Sequence, residues 1–156
     1  MNDKEKILLG LDRAADDLRR GWPVLLKNEA DSVYAIMPLE VAHDANLKRF
    51  DALFPKKSEI VITCHRAATL KVAHKGNESV RLHRSRWLKA GDLVALADPT
   101  LDLSNPLMGP YQRSENDVLE VDQAAVQLVK HAHLLPALLV AKIACCLLYT
   151  SDAADE

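Results

Sequence analysis

The chain has 156 residues, of which 49% are hydrophobic and 27% charged, and its formal net charge is −2. This length suits one domain with one substantial core, and a charge so near zero argues against a protein that binds polyanions by charge alone. No apolar run reaches the roughly 18 residues that a membrane span needs, and the N-terminus lacks a signal-peptide pattern, so we expect a cytoplasmic protein. Cys64 and the adjacent Cys145 and Cys146 form no CxxC motif, which predicts neither a disulfide framework nor a structural zinc site.

The C-terminal tail reads differently from the rest of the chain. Translated back into codons, residues 146–156 resemble the adapter that transposase-based fragmentation leaves on sequencing inserts. We therefore expect residues 1–144 to be the natural domain of a truncated protein and residues 145–156 to be a non-native tail, which is excluded from the fold argument.

The first half of the chain alternates between helical and extended patterns. Apolar residues recur at helical spacing from Ile7 to Leu18 and predict an amphipathic helix that ends at Gly21. The elements predicted after it are strands over 22–27 and 32–37 around a turn, a helix over 40–54 that Pro55 closes, and a short buried strand over 59–63.

The second half continues this alternation. The predicted elements are a helix over 65–73, a turn at Gly76 and Asn77, a helix within 80–97 around Trp87 and Leu93, a helix over 118–133 and a buried strand over 136–141. Between them, residues 98–116 hold three of the seven prolines and predict a long surface loop of the kind that is often functional. The whole pattern predicts the α/β class, with a mixed α+β sheet flanked by helices.

Three stretches together resemble one family. They are Asp12-Arg-Ala-Ala-Asp-Asp-Leu-Arg-Arg-Gly-Trp-Pro-Val-Leu-Leu26, Leu96-Ala-Asp-Pro-Thr100 and Ala124-Ala-Val-Gln-Leu-Val-Lys-His-Ala-His-Leu-Leu-Pro-Ala-Leu-Leu-Val-Ala141. They resemble the N-terminal region of GTP cyclohydrolase II proteins, where a degenerate 3,4-dihydroxy-2-butanone 4-phosphate synthase-like domain precedes the cyclohydrolase domain. The resemblance implies a synthase-like fold and a role in riboflavin biosynthesis. It also implies an intact protein that hydrolyses GTP to a diaminopyrimidine ribosyl phosphate, formate and pyrophosphate.

The same resemblance implies that synthase chemistry is lost. The synthase family splits ribulose 5-phosphate with magnesium, an acidic loop after the first strand and a His-Thr-Glu triplet that opens the last helix. This chain has Val121, Asp122 and Gln123 at the triplet, and Lys142 where the family has an acid/base glutamate. Valine cannot bind a metal, and lysine reverses the charge that proton transfer requires there. We therefore expect no catalytic, cofactor-binding or metal-binding residue in this fragment.

Four remnant acidic positions remain candidates for residual chemistry. Glu29 and Asp31 lie in the short loop after the first strand, Glu40 follows a Pro-Leu pair that resembles the family's Pro-Ala-Glu, and Asp122 stands in the former triplet. Their carboxylates suit a hard divalent cation, but acids in a turn are more often solvated surface. A residual synthase acting on ribulose 5-phosphate thus stays open as an alternative function.

A zinc ion and a second domain are expected only because the chain resembles this family. The cyclohydrolase family holds zinc with three cysteines, which Cys64 alone cannot provide. Zinc is therefore expected in the missing C-terminal domain. That cyclohydrolase domain is the expected partner of this one, with homodimerisation as a second expectation.

A basic stretch supports the remaining alternative. Arg81, Arg84 and Arg86 precede Trp87, and such a group could bind phosphate or single-stranded RNA. The near-zero net charge favours a solvated helix face over a nucleic-acid site. Cys64 beside His65 is interpreted as a packed cysteine rather than a nucleophile, since neighbouring residues seldom point both side chains at one place.

Overall fold

The computed structural model describes residues 1–55, 57–76 and 78–143. Its α-helices are α1 (Asp3–Arg19), α2 (Asp44–Leu53), α3 (Cys64–Thr69), α4 (Ala90–Ala97) and α5 (Glu120–His131), and its strands are β1 (Val24–Lys27), β2 (Val33–Pro38), β3 (Glu59–Ile62), β4 (Val80–His83) and β5 (Ala137–Lys142). Short 3₁₀ helices cover Leu39–Val41 and Pro99–Leu101. The predicted adapter tail, its boundary at residue 144 and the predicted turn residue Asn77 lie outside the described residues.

The strands form one antiparallel sheet in the order β1-β2-β5-β3-β4. The register pairs Lys27 with Val33, Tyr34 with Lys142, and Glu59 with both Val140 and His83. One end of the sheet, called here the Lys27 end, therefore carries the end of β1, the start of β3 and the ends of β4 and β5. The opposite end, called the Val24 end, carries the starts of β1, β4 and β5.

Both faces of the sheet are covered, which makes a three-layer domain of the predicted class. One core packs α2, α3 and α4 on strand residues that include Met37, Ile60 and Leu139. The other packs α1 and α5 on Ile36, Val61, Leu138 and Val140. Because both faces are buried, every residue of β2 is buried and its sequence reads as a continuous apolar run.

The ends of α1 follow from local chemistry. Asn2 and Glu5 form a reciprocal capping box, in which the Asn2 Oδ1 accepts from the Glu5 N–H at 2.8 Å and the Glu5 Oε2 accepts from the Asn2 N–H at 2.9 Å. After the helix, Gly21 adopts a φ of +79°, which the chain needs to turn into β1. The predicted stop at Gly21 therefore agrees with the structure.

Several boundaries differ from the predictions. Residues 80–97, predicted to contain a helix around Trp87, hold β4 first, and α4 begins only at Ala90. β4 has only four residues, in which apolar and basic side chains alternate, and so short a pattern could not identify β4 as a strand by periodicity alone. The predicted helix over 65–73 shortens to Cys64–Thr69, and the one over 40–54 divides into a 3₁₀ turn and α2. Within the described ranges, no helix is long and apolar enough to cross a membrane.

Candidate functional site

A small cleft at the Lys27 end lies between the turn after β1 and the first turn of α5. It has a volume of about 230 Å³ and is lined by residues 26–29 on one side and by Glu120, Val121 and Ala124 on the other. The fold thus brings together the loop after the first strand and the start of the last helix. These are the two places where the family resemblance puts the halves of the synthase site.

The turn after β1 is closed by its own hydrogen bonds. The Asn28 Oδ1 accepts from the Ser32 N–H at 2.9 Å, and the Asn28 carbonyl accepts from the Asp31 N–H at 3.1 Å. The Asp31 carboxylate lies 2.9 Å from the Lys27 Nζ, and both side chains are largely exposed. Glu29 is exposed as well and lines the cleft. An exposed ion pair of this kind contributes at most about 1 kcal/mol, so the turn keeps its shape mainly through backbone and amide bonds.

On the α5 side the cleft presents Val121, while Asp122 turns towards β4. The Asp122 Oδ2 accepts from the Leu119 N–H at 2.8 Å, and its Oδ1 accepts from the Arg81 Nη2 at 3.3 Å. The Arg81 Nε lies 3.1 Å from Oδ2, but its N–H is not aligned with that oxygen, so this contact is electrostatic rather than a hydrogen bond. Burial raises the pKa of Asp122, and the Leu119 N–H and Arg81 oppose this shift.

Glu40 lies at the opposite end of the sheet. It belongs to the 3₁₀ turn after β2, and its Oε2 accepts from the Leu135 N–H at 2.8 Å, which ties this turn to the segment before β5. The four candidate acids are therefore separated: Glu29 and Asp31 in one turn, Asp122 against β4 and Glu40 at the Val24 end. Among the residues that the structure describes, no three His, Cys, Asp or Glu side chains are grouped so that they could hold a metal ion.

Lys142 ends β5 at the Lys27 end, beside Tyr34 of β2. Its side chain is exposed. The position that the resemblance assigns to an acid/base glutamate therefore lies at the same end of the sheet as the cleft. It carries a cationic amine there.

The three arginines of the basic stretch have different environments. Arg81 contacts the buried Asp122, whereas Arg84 pairs with Asp51 through two hydrogen bonds of 2.6 and 2.8 Å. Arg86 is exposed on the turn before α4. In the predicted helix, residues three apart such as Arg81 and Arg84 would lie on the same face. In the extended backbone of β4 and the residue after it, successive side chains point in opposite directions, so Arg81 and Arg84 have different partners.

The role of Arg66 was not predicted from the sequence. Arg66, in α3, donates to the Leu96 carbonyl at 2.7 Å and makes two 2.7 Å hydrogen bonds to the carboxylate of Asp102. It thereby holds the end of α4 and the start of the long loop. Cys64, in contrast, is the buried first residue of α3, which agrees with its interpretation as a packed cysteine.

The chain is similar to known proteins both in sequence and in fold. No protein-family model, however, matches the chain. A GTP cyclohydrolase-2 from Azospirillum brasilense is 34% identical over 138 residues, which cover 88% of this chain and 36% of the relative, so the chain spans about a third of that protein.

Solved structures similar to this chain include synthases. A two-domain 3,4-dihydroxy-2-butanone 4-phosphate synthase from A. baumannii has a TM-score of 0.63 at 12% identity, covering 85% of this chain and 47% of that one. The synthase of Candida albicans has a TM-score of 0.60 at 14% identity, covering 92% and 90%. The synthase-like fold and the resemblance to the cyclohydrolase family are thus both confirmed. The chain is a 3,4-dihydroxy-2-butanone 4-phosphate synthase-like domain related to GTP cyclohydrolase II.

Proposed function

We propose that this chain is the non-catalytic N-terminal domain of a GTP cyclohydrolase II of riboflavin biosynthesis and acts in the cytoplasm as the structural partner of the cyclohydrolase domain. The observation that carries the proposal is the 34% identity to a GTP cyclohydrolase-2 along 88% of this chain. The intact protein would hydrolyse GTP to a diaminopyrimidine ribosyl phosphate, formate and pyrophosphate. Its zinc would be bound in the domain that follows.

The composition of the cleft at the Lys27 end supports the loss of synthase activity. Splitting a sugar phosphate requires groups that transfer protons and stabilise developing negative charge. The α5 side of this cleft offers Glu120, Val121 and Ala124, and the β1 side offers residues 26–29, which include Lys27 and Glu29. Asp122, the remaining acid of the former triplet, is fully buried and engaged with Leu119 and Arg81. The former triplet therefore contributes only the apolar Val121 to this cleft.

The residues at this cleft do not fit the magnesium that the synthase family uses. Magnesium prefers octahedral coordination by oxygen atoms, usually from carboxylates and water. The carboxylates lining the cleft are Glu29 and Glu120, on opposite walls, and the former triplet contributes a valine. No catalytic step through a metal ion is therefore derived for this domain.

A formate-release assay tests the loss of activity. The 156-residue chain, shown to be folded by circular dichroism, is incubated with ribulose 5-phosphate and magnesium beside an active synthase. We expect no formate above the enzyme-free rate. Magnesium-dependent formate release that Glu29→Gln diminishes and Glu5→Gln leaves unchanged would instead establish the alternative, a residual synthase. Glu5 is a suitable control because it lies in the first turn of α1.

Long-read sequencing of the source DNA across the codon for Ala144 tests the assignment to a cyclohydrolase. We expect the reading frame to continue into a domain with three closely spaced cysteines. A natural stop codon at this point, or the same tail in adapter-free reads, would contradict the assignment. Sedimentation velocity on the chain tests the second proposed partner, another copy of the domain, because a homodimer sediments at twice the monomer mass.

A further inference from the structure

A second cleft, called here the basic cleft, opens at the Lys27 end next to β4. Its volume is about 530 Å³, and it is lined by Lys57, His83, Arg84, Ser85, Arg86 and Gln112. It shares no lining residue with the cleft between β1 and α5. Its volume lies within the range of about 300–1,000 Å³ that is typical of small-molecule sites.

Long-range pairing assembles the basic cleft from three segments. The register of β3 with β4 pairs Glu59 with His83, which brings Lys57, two residues before β3, close to the end of β4. The His83 N–H donates to the Gln112 carbonyl at 2.8 Å, so the long loop runs beside β4 and contributes Gln112. A turn closed by the Leu88 N–H and the Ser85 carbonyl at 3.1 Å carries Arg86.

The lining of the basic cleft is cationic. Lys57, Arg84 and Arg86 carry positive charge, and no carboxylate lines the cleft in the part of the chain that the structure describes. Asp51, which lines the adjoining depression rather than this cleft, forms an ion pair with Arg84. Within the same described residues, neither Lys57 nor Arg86 has an ion-pair partner. The cleft thus keeps an excess of positive charge although the chain as a whole has almost none.

Arg84 is held in place before any ligand arrives. Its Nη1 and Nη2 donate to the two carboxylate oxygens of Asp51 at 2.6 and 2.8 Å, and Nη1 also donates to the buried Ser58 Oγ at 2.9 Å. The Arg84 side chain is only 18% exposed. These bonds use three of the five guanidinium N–H groups, so the remaining donors belong to a fixed, planar cation. Such a group suits a phosphate, whose oxygens match the guanidinium geometry.

The surface beside the basic cleft carries both apolar and charged side chains. An adjoining depression of about 490 Å³ shares the Lys57, Arg84 and Arg86 wall. Its other lining residues include the apolar Leu47, Phe54 and Leu88 and the carboxylates of Asp44 and Asp51. A ligand that reached both would place an anionic group against the cations and a carbon skeleton against apolar side chains. We propose that the basic cleft binds the phosphate group of a small organic phosphate, either a sugar phosphate or a nucleotide, whose carbon skeleton extends over the adjoining depression.

Calorimetric titration of the 156-residue chain at low ionic strength tests this proposal. The probes are inorganic phosphate, ribulose 5-phosphate, GTP and a short single-stranded RNA, and the variant is Lys57→Ala/Arg86→Ala. Both side chains are exposed, so the variant should fold. The matched control is Lys4→Ala/Arg13→Ala, which also removes one exposed lysine and one exposed arginine but lies on α1, outside the cleft.

We expect both organic phosphates to bind the wild type more tightly than inorganic phosphate does. The Lys57→Ala/Arg86→Ala variant should lose about tenfold or more in affinity, because hydrogen bonds to charged groups are the strong ones. The control should retain wild-type affinity, and added salt should weaken binding. Tighter binding of ribulose 5-phosphate would identify a sugar-phosphate site, and tighter binding of GTP a nucleotide site.

Three results would overturn the proposal: no binding of any of the phosphates, equal binding by the wild type and the cleft variant, or binding of single-stranded RNA alone. None of these results bears on the loss of synthase activity, since the formate assay concerns the other cleft. The two proposals can therefore fail separately.

Discussion

Replacing Arg81 with methionine tests the buried ion pair that joins β4 to α5. The Asp122 side chain is fully buried and that of Arg81 is 11% exposed. Removing one partner of a buried pair leaves an uncompensated charge and costs about 3–5 kcal/mol. The contact here combines one long hydrogen bond of 3.3 Å with an unaligned approach of 3.1 Å. We therefore expect a loss near the lower limit, about 3 kcal/mol of unfolding free energy at neutral pH.

The pH dependence follows from the direction of the pKa shift. Burial raises the pKa of Asp122 in the folded protein above its unfolded value, despite the opposing effects of Leu119 and Arg81. Between those two pKa values the folded protein binds more protons than the unfolded chain, so its stability falls as the pH rises through this window. Without Arg81 the folded pKa rises further and the window widens. The penalty of Arg81→Met should therefore be largest at neutral pH and shrink as acid protonates Asp122.

Urea unfolding followed by circular dichroism measures the effect. For a domain of this size an m-value of about 2 kcal/mol/M turns a loss of about 3 kcal/mol into a decrease of about 1.5 M in the midpoint. The double variant Arg81→Met/Asp122→Asn, which removes both charges, should recover part of the loss. An unchanged midpoint in Arg81→Met, or a loss that is equally large in mild acid, would refute the argument from an uncompensated buried charge.

Two further predictions concern the backbone and a second ion pair. Gly21→Ala should destabilise by about 2 kcal/mol, because φ is +79° at this position and an added Cβ would clash with the Asn46 side-chain amide. The matched change Gly10→Ala, with open space inside α1, should stabilise by about 0.5–1 kcal/mol, and similar shifts in thermal midpoint for both would contradict this reasoning. Arg66→Ala should cost about 3 kcal/mol, since two buried carbonyls of α4 lose their donor, and Arg66→Lys should restore less than half of that in urea titrations. The Arg66–Asp102 ion pair adds a pH-dependent part to this loss. Because Arg66 holds the pKa of Asp102 below its usual value, the stability from the ion pair is present above the unfolded pKa and is lost as pH falls through the folded pKa, so a loss that does not shrink at all in acid would contradict the ion-pair part.

The predictions from sequence were most accurate where the signal was long and local. The helix pattern before Gly21 and the apolar run before Lys142 correspond to α1 and β5, with ends displaced by a few residues. The resemblance also assigned Val121 and Lys142 to positions of catalytic groups, and of these two residues Val121 lines the cleft. Each of these inferences depends on neighbours within one element or on a direct alignment. Neither requires knowledge of which strands pair.

What the sequence could not supply is the set of contacts between distant segments. β4 is short and basic, and it is recognisable as a strand only through its pairing with β3 and with the loop at Gln112. Side-chain periodicity reports the local backbone, whereas pairing and register decide which ends of strands meet.

The sequence by itself determined the fold class and the helical and strand segments with strong periodicity. Only the tertiary structure decided that Asp122 pairs with Arg81, because these residues are distant along the chain and meet only when α5 packs on the sheet. Only the tertiary structure joined Lys57, Arg86 and Gln112 into one cleft, since these residues are distant along the chain and meet through β-sheet pairing.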